Sequence, residues 1–370
     1  MILGLDLSRR DVACVLAKPN GDSVFALRAP LPANADSLGQ WRALIDVAQE
    51  TLIRSMQPRE TISNVVLAIE ARVDANGKIE KSPGSEGWHN FDLIAGLREN
   101  LRIENTQVFN RTICEGAGEK CFGALKSINA NSSDDLVIAS PNATTAKLDE
   151  ATSSTRSAST RSALFVHLGA SLGAAFFDGD SWRLVDIGEI VIERDGSIGS
   201  GGRRGTLEAS CSEENFLARA ASYGITLRAE KEIWEMAQGN FAAQSLRDDF
   251  VRRLCHGLGI AWTLLQPDNI ILGGSLAVAL GDELLQSVRR GIHEFCALKD
   301  ENAIINGALG HDAAVLGAVG LAKSAEILVL RNAAPATYRV LDMHVAPATQ
   351  HSNLSTLHLS NYETHSWRGR

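Results

Sequence analysis

The chain has 370 residues, 45% of them hydrophobic and 22% charged, and a formal net charge of −8. That length and apolar content suffice for two ordinary domains, each with its own core. The acidic balance and the lack of a long Lys/Arg block speak against a nucleic-acid binder, whose affinity rests on neutralising phosphates, so no direct nucleic-acid partner is expected.

The amino terminus enters a strand pattern at once, Met1-Ile2-Leu3-Gly4-Leu5-Asp6-Leu7, with no basic leader before it. No apolar stretch is long enough to cross a bilayer, so a cytoplasmic protein without a membrane partner is expected. Residues 1–29 read as two strands around Pro19-Asn20-Gly21-Asp22, the chemistry of a hairpin corner. Trp41, Leu44, Ile45, Ala48, Leu52 and Ile53 recur at helical spacing, and Pro58 follows the last of them. In Ile62 to Ile69 the run Val65-Val66-Leu67-Ala68 is apolar without alternation, which predicts a strand covered on both faces.

Lys126 to Ser162 is rich in Ser, Thr, Asn and Ala and holds too few large apolar residues for a core. It reads as a mobile insertion, in which Leu136-Val137-Ile138 offers one short strand. The pattern resumes with strands at Leu164 to Leu168 and Ala174 to Phe177 around a glycine-containing turn, and a helix is predicted from about Glu213. In the mostly helical carboxyl half, Gln266-Pro267-Asp268-Asn269 precedes a buried strand, Ile270-Ile271-Leu272, that ends in Gly273-Gly274. The last predicted helix is Asp312 to Ser324. Beyond about Arg331 the chain is polar and without firm periodicity, an extension that wraps a neighbour or stays loose. Cys14, Cys114, Cys121, Cys211, Cys255 and Cys296 form no CxxC pair and read as small core residues of a reducing compartment.

Three segments are more specific. The first is Val108-Phe109-Asn110-Arg111-Thr112-Ile113-Cys114-Glu115-Gly116-Ala117-Gly118-Glu119 with Phe122-Gly123-Ala124 after it. The second is Leu168-Gly169-Ala170-Ser171-Leu172-Gly173-Ala174-Ala175, and the third runs from Gly188-Glu189-Ile190 through Gly202-Arg203-Arg204-Gly205-Thr206-Leu207-Glu208-Ala209. Weaker ones are Gly87-Trp88 with Asn90 and Leu93, the turn Ile271-Leu272-Gly273-Gly274-Ser275, and Ala308 through Ala318. In their order along roughly residues 1–324, these motifs resemble those of the ROK family of repressors, open reading frames and kinases. The resemblance implies an α/β protein of the two-domain actin-like ATPase (ribonuclease H-like) sugar-kinase fold, whose lobes close over a nucleotide. The amino-terminal lobe would be residues 1–112, completed by the helix at 312–324. The larger lobe would be 113–311 with the insertion 126–162, and 331–370 would be a tail. The resemblance also implies a homodimer or homotetramer. Repressors of the family carry a helix-turn-helix domain ahead of the first strand, whereas Met1 here opens the strand itself, so DNA binding is not expected.

A sugar kinase of this family holds ATP and Mg²⁺ and sets a carboxylate beside the sugar hydroxyl to accept its proton. The resemblance assigns Asp6, Gly169, Gly173, Gly273 and Gly274 to the nucleotide and Asn110, Glu189 and Glu208 to the sugar. Asn110 alternatively caps a helix, and Glu208 is alternatively a solvated carboxylate at a helix start. The family's base follows the Asn of an Asn-Asp pair. Here that residue is Arg111, a permanent cation, and loss of a general base costs about 10² to 10⁴ in rate. The family's first phosphate loop, Asp-x-Gly-Gly-Thr, is Asp6-Leu7-Ser8-Arg9-Arg10, and the second carries Ala170, Ser171 and Ala174 in place of Thr, Gly and Gly. Both changes count against ATP and Mg²⁺. The family's zinc ligands fall at Ile192, Gly199, Gly201 and Thr206, so zinc is not expected and that loop should be held by packing alone. A Pro-Gly beside the sugar matches Glu70-Ala71. Glu115, one turn beyond Arg111, is either a substitute base or an ion-pair partner of that arginine. Arg9, Arg10 and Arg111 either form an anion site or pair with Asp6, Asp11 and Glu115. The expected protein is a ROK sugar-kinase-like pseudokinase that binds a sugar or sugar phosphate, with phosphoryl transfer lost or strongly impaired, as a sensor or regulator. The alternative is an active ATP-dependent hexose or amino-sugar kinase with a non-standard base.

Overall fold

A computed structural model describes residues 1–32, 35–74, 77–80, 86–88, 91–126, 162–199, 201–227 and 231–329. The expected strand at 136–138, Asn90 and the 331–370 tail lie outside them. The chain divides into two compact units, one of Met1–Gly118 with the chain from Asp312 onward, the other of Glu119–His311. No described helix is long and apolar enough to cross a membrane.

The first unit is built on a five-stranded sheet of β1 (Ile2–Leu7), β2 (Asp11–Ala17), β3 (Ser23–Pro30), β4 (Asn64–Ile69) and β5 (Thr106–Asn110), in the order β3-β2-β1-β4-β5. β1 pairs antiparallel with β2 and parallel with β4, so it is the hinge between a meander and a parallel half. Residues 1–29 therefore hold parts of three strands where periodicity predicts two. The additional corner is made by side chains: the Ser8 hydroxyl donates to Asp11 Oδ1 at 2.6 Å, and the Ser8 amide donates to the Asp11 carbonyl at 3.0 Å.

Helix α1 (Ser37–Arg54) starts where Asp36 accepts from the Gly39 amide at 2.8 Å. It buries Trp41, Leu44, Ile45, Ala48 and Leu52, while Ile53 is 67% exposed because the helix turns it away from that stripe. Helix α2 (Leu93–Leu101) packs on β5, and α3 (Arg111–Cys121) begins directly at the end of that strand. The last helix, α9 (Ala313–Val329), lies against β1 and β4.

The second unit repeats the plan. Its sheet contains β6 (Ala163–Leu168), β7 (Leu172–Phe177), β8 (Trp182–Val185), β9 (Asn269–Gly273) and β10 (Ile304–Asn306), in the order β10-β9-β6-β7-β8. β6 pairs antiparallel with β7 and parallel with β9, as β1 does with β2 and β4. Its helices are α4 (Leu207–Cys211), α5 (Glu213–Ser222), α6 (Glu232–Met236), α7 (Phe241–Leu265) and α8 (Ser275–Gly291). Phe250 of α7 sits at the centre of this core, with Phe216 and Trp234 edge-on at 5.1 and 6.3 Å. In both units the parallel strands end on one edge, where open α/β sheets bind ligands.

Candidate functional site

At that edge of the first unit, Asp6 stands near the end of β1, Glu70 just past β4, Asn110 at the end of β5 and Arg111 at the start of α3. Arg111 lies between two carboxylates. Its Nε donates to Asp6 Oδ1 at 2.9 Å and its Nη2 to Asp6 Oδ2 at 3.3 Å, while Nη1 donates to Glu115 Oε1 at 2.6 Å. Asp6 is fully buried, Glu115 nearly so, and the Arg111 side chain is 14% exposed. Burial works against the guanidinium charge, but Asp6 and Glu115 outweigh it and hold Arg111 more firmly protonated than a free arginine. Burial lifts Asp6 above the ordinary carboxylate range against the pull of Arg111. One cation thus serves two buried acids, and Glu115 is its ion-pair partner.

Asn110 uses both ends of its amide on the backbone. Its Nδ2 donates to the Ala71 carbonyl at 2.7 Å, and its Oδ1 accepts from the Thr112 amide at 2.8 Å, which caps α3. The β1–β2 corner is locked from the side by Arg28, which donates to Asp11 at 2.6 Å and to Asp312 at 3.0 Å. Burial alone would raise Asp11, but the Arg28 charge and the Ser8 hydroxyl together bring it below its ordinary value. Arg9 pairs with Glu70 at 3.4 Å and is half exposed, and Arg10 is exposed in the same turn. Asp6, Asp11, Glu70, Glu115 and Asp312 therefore pair with the guanidinium groups of Arg9, Arg28 and Arg111.

In the second unit the glycine turns are tightly packed. Gly274 has φ +89°, and a Cβ there would lie 2.4 Å from the Leu168 carbonyl oxygen and 2.9 Å from His167 Nδ1. A Cβ on Gly169 would meet His167 Nε2 at 2.7 Å, and one on Gly273 would meet the Phe165 ring at 2.4 Å. Gly173 stands opposite His167 in the β6–β7 pair. Glu189 pairs with Arg203 at 3.3 Å, and Glu208 packs against the backbone of Gly188, beside Glu189.

The loop between Ile187 and Thr206 is not held by packing alone, as the sequence suggested. The Ile192 and Glu193 amides donate to the Gly205 carbonyl at 2.9 and 3.1 Å, and the Gly205 amide donates to Ser197 at 2.7 Å. Arg204 reaches the Gly196 carbonyl at 2.8 Å, and Arg253 of α7 pairs with Glu193. Charge and backbone geometry add to the packing of Ile187, Ile190 and Ile192 on the second-unit core. Two of the positions matched to zinc ligands remain neighbours: a Cβ on Gly199 would stand 3.3 Å from Thr206 Oγ1.

Two further residues escaped sequence reasoning. Glu119, 1% exposed, accepts from the amides of Ala124, Ala308 and Leu309 at 2.8 to 2.9 Å, which explains the Gly-Glu and Phe-Gly-Ala pieces of the first segment. Arg253 also bonds Asp249 at 2.9 Å. A groove of about 940 Å³ near Ser63 and Asn105 lies at the opposite, amino-terminal ends of β4 and β5, and one of about 900 Å³ runs along α7 and α8. Neither includes the residues singled out above.

Asp6, matched to the nucleotide, is already engaged by protein groups. Both oxygens of Asp6 face Arg111, the first-unit corner is closed by Ser8 and Asp11, and the second-unit glycines abut protein atoms. Among the described residues no group of three His, Cys, Asp or Glu is placed to hold a metal ion.

Two sheets of identical topology, each a meander joined to parallel strands, define the actin-like ATPase fold of sugar kinases. The sequence profile of the ROK family matches residues 135–325, just over half of the chain, so the chain belongs to the ROK family. No curated protein sequence matches it. Among solved structures it is similar to a ROK hexokinase from Thermus thermophilus (TM-score 0.66, 16% identity, covering 90% of this chain and 99% of that one). It is similar also to a ROK glucokinase from Streptomyces griseus in complex with glucose and AMPPNP (TM-score 0.63, 18% identity, 86% and 98%). A third is a ROK family transcriptional regulator, a homolog of the E. coli MLC protein (TM-score 0.64, 16% identity, 89% and 80%).

Proposed function

We propose that this ROK protein binds a sugar without phosphorylating it, as a sensor or regulatory subunit. The observation that carries this reading is Arg111, held between Asp6 and Glu115 where the family's pattern places the proton acceptor. A guanidinium cannot accept a proton, and the acid nearest to it is committed to that guanidinium. The S. griseus glucokinase was solved with glucose, and the fold also serves a transcriptional regulator, which supports a binding role. The residues put forward for sugar contact are Asn110 in the first unit and Glu189 and Glu208 in the second.

A coupled ADP-release assay over a panel of hexoses and amino sugars tests the reading. The expected result is no sugar-dependent release above background. Turnover at kinase rates, about 1–100 s⁻¹, would establish instead an active kinase with a non-standard base such as Glu115. Thermal-shift screening of the same sugars and their phosphates supplies the binding arm, since a ligand of the native state raises its stability.

A further inference from the structure

The groove at the amino-terminal ends of β4 and β5 lies on the edge of the first unit opposite Asp6 and Asn110. It is lined by Ile62 and Ile103, both buried, and by Gln49 of α1, Ser63 and Arg102. Apolar surface continues from it along α1. Ile53, one turn beyond Gln49 on the same helix face, is 67% exposed, and Met56, just past the helix at φ +53°, is 88% exposed. Two large apolar side chains left in water beside a groove mark a docking surface.

Helix α9 delivers the rest of the chain to this edge. Asp312, just before α9, bonds Arg28, which pairs with Asp11 in the corner after β1, so the helix starts at the carboxyl end of β1. Val315 and Val319 then meet Gly4 in the middle of that strand, where a Cβ would lie 2.7 Å from the Val315 carbonyl oxygen and 3.0 Å from Val319 Cγ2. The helix therefore runs antiparallel to β1, toward Met1. From Val319 to Val329 it advances about 15 Å, whereas β1 has only about 10 Å left between Gly4 and Met1. The Met1 carbonyl accepts from the amide and the hydroxyl of Ser63, a residue of the groove, at 2.7 and 3.1 Å. α9 thus ends at the edge of the sheet that holds the groove. About 40 residues follow Val329, and an extended chain spans about 3.3 Å per residue, so the tail has ample length to reach it. The first run of large apolar residues in the tail is Val340-Leu341-Asp342-Met343-His344-Val345, in which Leu341, Met343 and Val345 alternate with a charged and a polar residue.

We propose that this groove is the docking site of the chain's own carboxyl tail, with Leu341, Met343 and Val345 laid against Ile53, Met56 and the groove. The tether makes the encounter intramolecular, at an effective concentration on the order of millimolar, so a modest contact suffices. The rim charges Arg59, Glu60, Arg102 and Glu104 are of both signs, as are those of a tail that carries Arg339, Asp342 and Glu363. Docking here leaves the opposite edge, with Asp6 and Asn110, uncovered.

The test is hydrogen exchange of the full chain, wild type against Ile53→Asp/Met56→Asp. Both positions are exposed, so the double variant changes the surface and not the core, which unchanged exchange in β1 to β5 confirms. In the wild type, amides 340–345 are expected to exchange at least tenfold more slowly than in a free peptide of the same sequence, and at the same rate after tenfold dilution of the protein. The double variant should return them to within twofold of the peptide. If it does not fold, Leu341→Asp/Met343→Asp decides instead, by at least twofold faster exchange at residues 53–60. Wild-type tail amides at the peptide rate would overturn the proposal, as would protection that survives the double variant or an unchanged rate at residues 53–60 in the tail variant. Protection lost on dilution would also overturn it, because the tail would then dock on a second copy.

Discussion

The two sheets share one strand plan, yet their ligand-side edges are closed by opposite means. The first unit uses side-chain charge, with Arg111 between Asp6 and Glu115 and Arg28 between Asp11 and Asp312. The second relies largely on backbone, with glycine turns pressed against their neighbours and a loop threaded through Gly205. Charge closure depends on every partner being present, because a buried ion left alone keeps its full desolvation cost. Backbone closure depends on conformation, because a side chain added at Gly205 or Gly274 would collide with a backbone carbonyl oxygen.

The largest effect should come from Arg111→Leu, which strands two buried carboxylates. A loss of about 3–5 kcal/mol is expected in denaturant unfolding of the full chain. Pairing it with Asp6→Asn should recover part of that loss, because the double variant removes one of the stranded charges. Additive losses would show that Arg111 acts through packing. Mg²⁺ should raise the melting temperature of Arg111→Leu and leave the wild type unmoved, since only the variant has two acids lacking a cation.

Much of the first unit was legible because its central strands are unbroken apolar runs, and the break at Asn110-Arg111 is visible as a charge where an acid belongs. The Ser8–Asp11 corner was legible only through the resemblance and not from periodicity, since it contains neither Gly nor Pro and is closed by one hydroxyl and one carboxylate. Arg28 was missed because its partner Asp312 lies 284 residues away. In the second unit the Gly169 and Gly274 turns were visible as glycines. Glu119 was visible only as part of the Gly-Glu motif and Arg253 carries no local signature, because each acts on groups that only the fold brings near.

In the second unit, Gly205→Ala should rank next. The residue has φ +69°, and its added Cβ would fall 1.5 Å from the Glu193 carbonyl oxygen, so the loop must move. A cost on the order of 2–3 kcal/mol is expected from the strained backbone. Hydrogen exchange should speed up between Ile187 and Thr206 and stay unchanged in β1 to β5. Arg253→Met should loosen the same loop more mildly, by about 1 kcal/mol, because its pairs with Glu193 and Asp249 are partly exposed. Equal exchange in wild type and Arg253→Met would show that Arg253 does not anchor the loop.

The smallest effect distinguishes two acids on adjacent strands. Asp11 sits below its ordinary value of 3.8, so its stabilisation is complete above that pH and is lost as pH falls through its lower folded value. Asp6 sits above 3.8, so it runs the other way: between the unfolded and folded values the native state holds a proton that the unfolded chain has released, and stability falls as pH rises. Asp11→Asn should therefore flatten the acid limb of stability below about pH 4, whereas Asp6→Asn should flatten the fall in stability as pH rises above it. Unfolding free energies between pH 2 and 6 check this. If both variants flatten the same limb, Arg111 pulls Asp6 down more strongly than burial lifts it, and the first unit's charge closure is tighter than its geometry implies.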